Sequence, residues 1–309
     1  MNQRTVLKDV LNHCYQRTSG HGVLFYTVRD HLVFFTIFCT MARRHRVRVL
    51  KLVQMPDHTH HATIARTRSQ LSDFQRDYTS VFAKEYNRSF GLSGPVFETP
   101  FSSAIKRNDK DVRSNLIYLD NNPVERKLVK KAEDYQWNYL AYAASEHPFS
   151  EKLALNQASM PLRRALKRVQ YLHEKGRFLG YELLDRLFQS LSDNRERAQL
   201  TDAIVRQYSV IDHAGAIRYF DGYEQELIAA HSTKGSEYDI SEKFIGKSDA
   251  CYARFTRILL GSGEVREIHE ILSLPSDEKR HLLDFLRRET SAPERQICAY
   301  LHLPVEVKH

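Results

Sequence analysis

The sequence predicts an α+β protein: a ferredoxin-like split βαβ unit over residues 1–150, followed by an all-α region over residues 151–309. Three observations predict it. Hydrophobic periodicity in the first half switches between strand and helix spacing in the order β-α-β-β-α-β-α. In the second half apolar residues recur at helical spacing and strand signals are few. The charge divides at the same place. Residues 1–150 carry 22 Lys and Arg against 14 Asp and Glu, whereas residues 151–309 carry 24 of each. The whole net charge of +8 therefore sits in the first half, and a basic half beside a neutral one suggests a polyanion as partner of the first.

The elements follow in order. Residues 6–17 alternate and end at Thr18-Ser19-Gly20, which reads as a strand and a turn. Residues 27–44 are densely apolar, with Thr27 or Asp30 as cap and Arg43, Arg44 and His45 at the C-terminal end, so they predict a helix buried against a sheet. Residues 47–54 read as a strand, although Leu50 and Leu52 break the alternation of Val47, Val49 and Lys51. Met55-Pro56-Asp57 is a turn, and residues 58–65 form the strand that pairs back. Leu71, Phe74, Tyr78, Phe82 and Tyr86 mark a helix over 69–90, ended by the glycines at 91 and 94. A short strand over 101–105 precedes a helix over 109–122 that Pro123 is expected to stop. After a boundary near 146–158, helices are expected over 162–171, 180–191, 195–208 and 277–289, with a polar stretch over 231–249. Ser291 and Glu294 have the capping-box spacing. With the helix before them they look like part of a helix-turn-helix over 277–309, which either touches DNA or docks on the first domain or a partner.

Composition narrows the classes. A 42% hydrophobic and 27% charged chain can build a core, which excludes wholesale disorder. No apolar run reaches about 18 residues, so no membrane partner is expected. The first residues lack a secretory apolar region. The four cysteines are scattered without a C-x-x-C pair, which argues against a disulfide scaffold or a Cys-based zinc site and for a cytoplasmic location.

His58 and His60 lie at the start of a strand and share one face, while His61 points to the other. Two imidazoles whose Cα atoms are about 6–7 Å apart can converge on a divalent ion, although a chain with 15 His also produces such a pair by chance. Tyr118 and Asn122 are four apart on one helix face. The Asn122 amide oxygen suits a third ligand and the Tyr118 hydroxyl a nucleophile beside the same metal. Spacing alone equally allows a tyrosine packed on the sheet and an asparagine capping the helix. Basic clusters offer a phosphate path: Arg43, Arg44, Arg46 and Arg48 between the first helix and the second strand, Lys106, Arg107 and Lys110 at the start of the helix that carries Tyr118, and Arg126 and Lys127 after it. Phe97, Phe101, Tyr135, Trp137 and Tyr139 lie among them as candidate stacking faces for unpaired bases.

Three blocks carry a family resemblance: Met55-Pro56-Asp57-His58-Thr59-His60, then Tyr118-Leu119-Asp120-Asn121-Asn122-Pro123-Val124, then Asp134-Tyr135-Gln136-Trp137-Asn138. They resemble the "MPNHVH", "Y-x-x-x-NPV" and "DYPWSS" patterns of the REP-associated tyrosine transposases. These are relatives of the single-strand insertion-sequence transposases in the HUH endonuclease superfamily. The segment from Gly94 to Lys106 also looks like the family's stretch before its last strand, and the likeness spans about residues 7–144. The resemblance implies that His58, His60 and Asn122 bind Mg²⁺ or Mn²⁺ and that Tyr118 is the nucleophile. It implies a metal-dependent endonuclease and strand transferase on single-stranded or hairpin DNA, working through a 5′-phosphotyrosine. A monomer or a homodimer is expected. The alternative is a catalytically silent hairpin-DNA-binding regulator on the same fold. Two departures, His61-Ala62-Thr63 and Glu125-Arg126-Lys127, fall beside the proposed catalytic positions and bear on DNA preference.

Overall fold

The computed structural model describes residues 9–232 and 248–305. Strand β1 (Leu11–Arg17) is followed by α1 (Val28–His45), β2 (Arg48–Met55), β3 (His58–Ile64), α2 (Arg68–Phe90), β4 (Ser102–Lys106) and α3 (Asp109–Glu125). The four strands form one antiparallel sheet in the order β2-β3-β1-β4. Helices α1 and α2 cover one face, where Cys14, Val49 and Leu52 meet Phe34, Phe38, Phe74 and Tyr78. Helix α3 lies on the other face, over Leu11, Leu50 and Val53.

Local chemistry accounts for the helix ends. Thr27 and Asp30 cap α1 together: each side chain takes the backbone N–H of the other. Thr67 Oγ1 accepts from Gln70 N at the start of α2, and Gly91 closes that helix at φ 64°, a left-handed conformation that glycine adopts without Cβ strain. Asn108 caps α3 through Asp111 N.

Three expectations need correction. Helix α3 does not stop at Pro123 but runs to Glu125. The proline removes one N–H from the last turn, and the helix closes two residues later with Arg126 N returning to Asn122 O. The broken alternation in β2 is a register shift between Val49 and Lys51 against β3. The bulge lets the consecutive Leu50 and Lys51 both turn toward α3, where Lys51 Nζ meets Asp120. Helix α1 is buried on every side, since all residues from Asp30 to Ala42 are buried. The sheet and α2 take part of its surface, and helices of the second half take the rest.

Those helices are α4 (Met160–Glu174), α5 (Tyr181–Gln189), α6 (Asn194–Tyr208), α7 (His213–Ile217), α8 (Tyr223–Ser232), α9 (Ala250–Ser262), α10 (Glu270–Ser273), α11 (Ser276–Glu289) and α12 (Glu294–Leu301). Helices α5 and α6 pack on α1, and one core continues from Phe34 and Phe38 into Leu184, Leu200, Ile204 and Tyr208. Helix α12 carries no side-chain cap. It docks on the chain after β1: Val23 N donates to Ala299 O, and Tyr26 Oη donates to Tyr300 O at 2.7 Å. Most of the polar stretch over 231–249, and the start of the strand expected over 6–17, lie outside the described residues. No helix among the described residues is long and apolar enough to cross a membrane.

Candidate active site

The strand register brings the site together. Tyr15 of β1 pairs with His60, and Arg17 with His58. His13, Tyr15, His58 and His60 therefore share the face under α3, and their rings lie side by side, with His58 and His60 centroids 4.9 Å apart and Tyr15 and His60 4.8 Å apart. Helix α3 lowers Tyr118 and Asn122 onto them. The Tyr118 ring stands perpendicular to His60 at 5.7 Å, and Asn122 Nδ2 lies 3.2 Å from Tyr118 Oη and 3.3 Å from His60 Nε2. Sequence spacing pairs His58 with His60 and Tyr118 with Asn122; the structure brings both pairs to one place. His61 faces the other way, bonded to Gln75 Oε1 at 2.9 Å beneath Phe38 and Phe74.

The donor atoms suit a cation. His58 Nδ1 donates to Asp57 Oδ1 at 2.5 Å, which places the ring's lone pair on Nε2. That Nε2 is buried and has no hydrogen-bond partner, and neither has Asn122 Oδ1. Buried polar atoms are rarely left unpaired, because each costs about 1–3 kcal/mol. Two such atoms beside His60 are what a divalent ion would satisfy. Among the described residues no three His, Cys, Asp or Glu side chains are placed to share an ion, so an ion held by His58 and His60 would take the Asn122 amide as a further donor.

Burial keeps the His60 and His13 rings uncharged. Burial, with His58, His13 and Arg126 nearby, holds His60 well below the usual imidazole range. Burial, with Lys106 and His61, pulls His13 down to about 3. Both rings are thus neutral at pH 7, as ligation requires. Burial would raise the Asp57 carboxyl, but His58, Arg126 and Arg17 outweigh it and bring it down to about 2.

Sequence reasoning missed His13, Tyr15, Asn115 and Asp249. His13 Nε2 lies 3.0 Å from His60 Nδ1, and Asn115 Nδ2 lies 3.0 Å from His13 Nδ1. Asn115 Oδ1 is buried without a partner. With that amide turned, a chain of donors from His60 Nδ1–H through His13 to Asn115 Oδ1 leaves the His60 lone pair on Nε2, toward Asn122. Asp249, from the second half, pairs with Arg126 at 3.7 Å, and its backbone N donates to Arg126 O. Only the alternation of His13 and Tyr15 in β1 was visible beforehand; the strand that would face them was not.

The site is closed in this structure. His58 and His60 are 0% exposed, Asn122 2% and Tyr118 4%. The basic residues are scattered more widely. Arg43 reaches His173 and Tyr208 O of the second half, Arg44, Lys110 and Lys127 are exposed, and Arg126 sits beside the site. Arg46, Arg48, Lys106 and Arg107 line a separate cleft at the far end of the sheet. The expected stacking faces are largely core. Trp137 stacks on His31 at 4.2 Å and Tyr139 on Phe35 at 4.5 Å, while Phe97 packs on Phe34 and Phe82. Burying those rings stabilises the fold and removes them from solvent.

No protein-family model matches the chain, and no curated protein matches it. The chain is similar to a solved structure of a REP-associated tyrosine transposase bound to a REP hairpin, at 17% identity and a TM-score of 0.41. The match covers 52% of this chain and 94% of that one.

Proposed function

We propose that the chain is a metal-dependent single-strand DNA endonuclease and strand transferase of the HUH type, acting on hairpin-forming DNA. The observation that carries this reading is the pair of buried, unpartnered donor atoms, His58 Nε2 and Asn122 Oδ1, beside His60 and Tyr118. The strand order suits a ferredoxin-like HUH core, and the three sequence blocks point the same way.

His58, His60 and Asn122 would hold Mg²⁺ or Mn²⁺, which when bound polarises the scissile phosphate. Two imidazoles in the set favour Mn²⁺ of the two. Tyr118 Oη attacks phosphorus: the Oη–P bond forms, the P–O3′ bond breaks, the phenol loses its proton and the 3′ oxygen gains one. Asn122 Nδ2 donates toward Tyr118 Oη and steadies the developing charge. Asp57 holds the His58 ring, and His13 the His60 ring. Attack of a 3′-OH on the phosphotyrosine reverses the step and joins strands.

The burial of Tyr118 favours a second reading, a catalytically silent hairpin-DNA binder. One assay separates them. Labelled hairpin DNA is incubated with the full chain and Mn²⁺, and covalent adducts are resolved on denaturing gels. The wild-type chain is expected to form an adduct that Tyr118→Phe abolishes while DNA binding stays within about twofold, since only a hydroxyl is lost. Binding without any adduct would establish the silent reading.

A further inference from the structure

A cleft of about 500 Å³ opens at the end of the sheet opposite His58. Its floor is one row of the sheet, where Arg48 pairs with Ile64, Ile64 with Leu11, and Leu11 with Lys106. Six cations from both halves of the chain converge on it: Arg46, Arg48, Arg66, Lys106, Arg107 and Arg218. Two lining carboxylates, Asp9 and Asp109, oppose them. Arg48 is held by Asp212 at 2.6 Å, and the Arg218 guanidinium lies 5.2 Å over the Tyr219 ring at the rim. Among the described residues Arg46, Arg66, Lys106 and Arg107 have no carboxylate within 4 Å.

Cations spread over a surface are ordinary. Cations drawn from separate elements into one concavity repel one another, and low-dielectric walls focus their field. Arg46 leaves the end of α1, Arg66 the loop before α2, Lys106 the end of β4 and Arg218 the end of α7. An anion with several charges along its length removes that repulsion. The distance also has meaning. At about 3.3 Å per strand residue the cleft is roughly 13 Å from His60 and 20 Å from His58 along β3. At about 3.4 Å per nucleotide that is about four to six steps of a nucleic-acid strand.

We propose that this cleft is a phosphodiester-backbone site, built jointly by the two halves, that holds DNA about four to six nucleotides from the strand position at Tyr118. The assignment rests on the DNA reading above and extends it to Arg66, Arg218 and Tyr219, which sequence reasoning had not singled out. The neutral net charge of the second half hides this contribution, because Arg218 acts by its place and not by a regional excess.

The test uses the full chain carrying Arg66→Ala and Arg218→Ala together, both at exposed positions. The probes are a fluorescent hairpin DNA with a single-stranded tail and a single strand of the same length. The control is Arg164→Ala with Lys167→Ala, two exposed cations on α4 away from the cleft. The cleft variant should bind at least tenfold more weakly at about 100 mM salt. Its log–log salt slope should shrink by about 1.4 on the single strand or about 1.8 on the hairpin stem. A larger loss on the hairpin places the stem in the cleft, and an equal loss places the single strand there. The control should keep wild-type affinity. Equal losses in cleft variant and control, an unchanged cleft variant, or no salt-dependent DNA binding by the wild-type chain overturns the proposal. Adduct formation at saturating DNA is scored separately: a wild-type chain that binds but forms no adduct counts against the catalytic reading alone.

Discussion

His58 and His61 are three residues apart and face opposite layers, so they should respond differently to the same change. His58→Ala removes a donor with no other partner than Asp57. Calorimetric titration with Mn²⁺ should show binding lost or weakened at least tenfold. His61→Ala leaves Gln75 without its 2.9 Å partner and should cost about 1–3 kcal/mol of stability, with Mn²⁺ affinity unchanged. A His61 variant that lost metal binding but kept its stability would refute the strand register. His13 acts one step further out. His13→Phe should weaken Mn²⁺ binding about 10–100-fold, whereas Asn115→Asp, which keeps an acceptor for His13 Nδ1–H, should retain it. At this scale the spacing of His58 with His60 and of Tyr118 with Asn122 was legible, because each pair lies within one element. His13 was not legible, because its neighbour across the sheet depends on register.

Asp30 shows what one capping residue does for whole elements. Its carboxylate closes the N-terminus of α1 and also accepts from Tyr181 Oη of α5 at 2.9 Å and from His269 Nε2 at 2.8 Å. Burial would push this carboxyl up, but His269 and the hydrogen bonds from Thr27 and Tyr181 outweigh it and hold it below the ordinary value. A folded-state value below the unfolded 3.8 means that the contribution is present above pH 3.8 and lost as the pH falls through the folded value. Asp30→Ala should cost about 3–5 kcal/mol near neutrality, since it strands buried partners. Denaturant midpoints should show the gap to wild type narrowing below pH 3.8. A gap that stayed constant down to pH 2.5 would contradict this account. The cap itself was readable from Thr27 and Asp30. Its second and third partners were not, because they come from about 150 and 240 residues further along the chain.

The two halves share one core, and the consequence is measurable. All of α1 from Asp30 to Ala42 is buried, in part by α5 and α6. A chain ending at residue 150 would expose that side of α1 to water, at about 25 cal/mol per Å² of apolar surface. Such a chain should unfold without a sharp thermal transition and bind a dye that reports exposed apolar surface. A cooperative transition at the full chain's midpoint would show that the first half stands alone. The buried cluster of Lys51, Asp120 and Glu226 joins β2, α3 and α8 in the same way, at 2.7 and 2.9 Å. Lys51→Met should destabilise the chain by about 3–5 kcal/mol, read from its denaturant midpoint, because it leaves two carboxylates buried without their cation.

Legible in the sequence were local features: the order of strands and helices in the first half, the caps at Thr27 and Asp30, the turn at Pro56, and the pairing of His58 with His60 and of Tyr118 with Asn122 by strand and helix period. These follow from hydrophobic periodicity and backbone sterics within a dozen residues. Tertiary structure decided the rest. It turned the broken alternation at Leu50 and Lys51 into a bulge, made core of Trp137 and Tyr139, and set His13 and Asn115 behind His60. It also brought Arg218 to the cleft with Arg46 and Lys106. Each of those outcomes depends on which surfaces meet across long stretches of chain. Packing and strand register select them, and neither is written in the spacing of neighbouring residues.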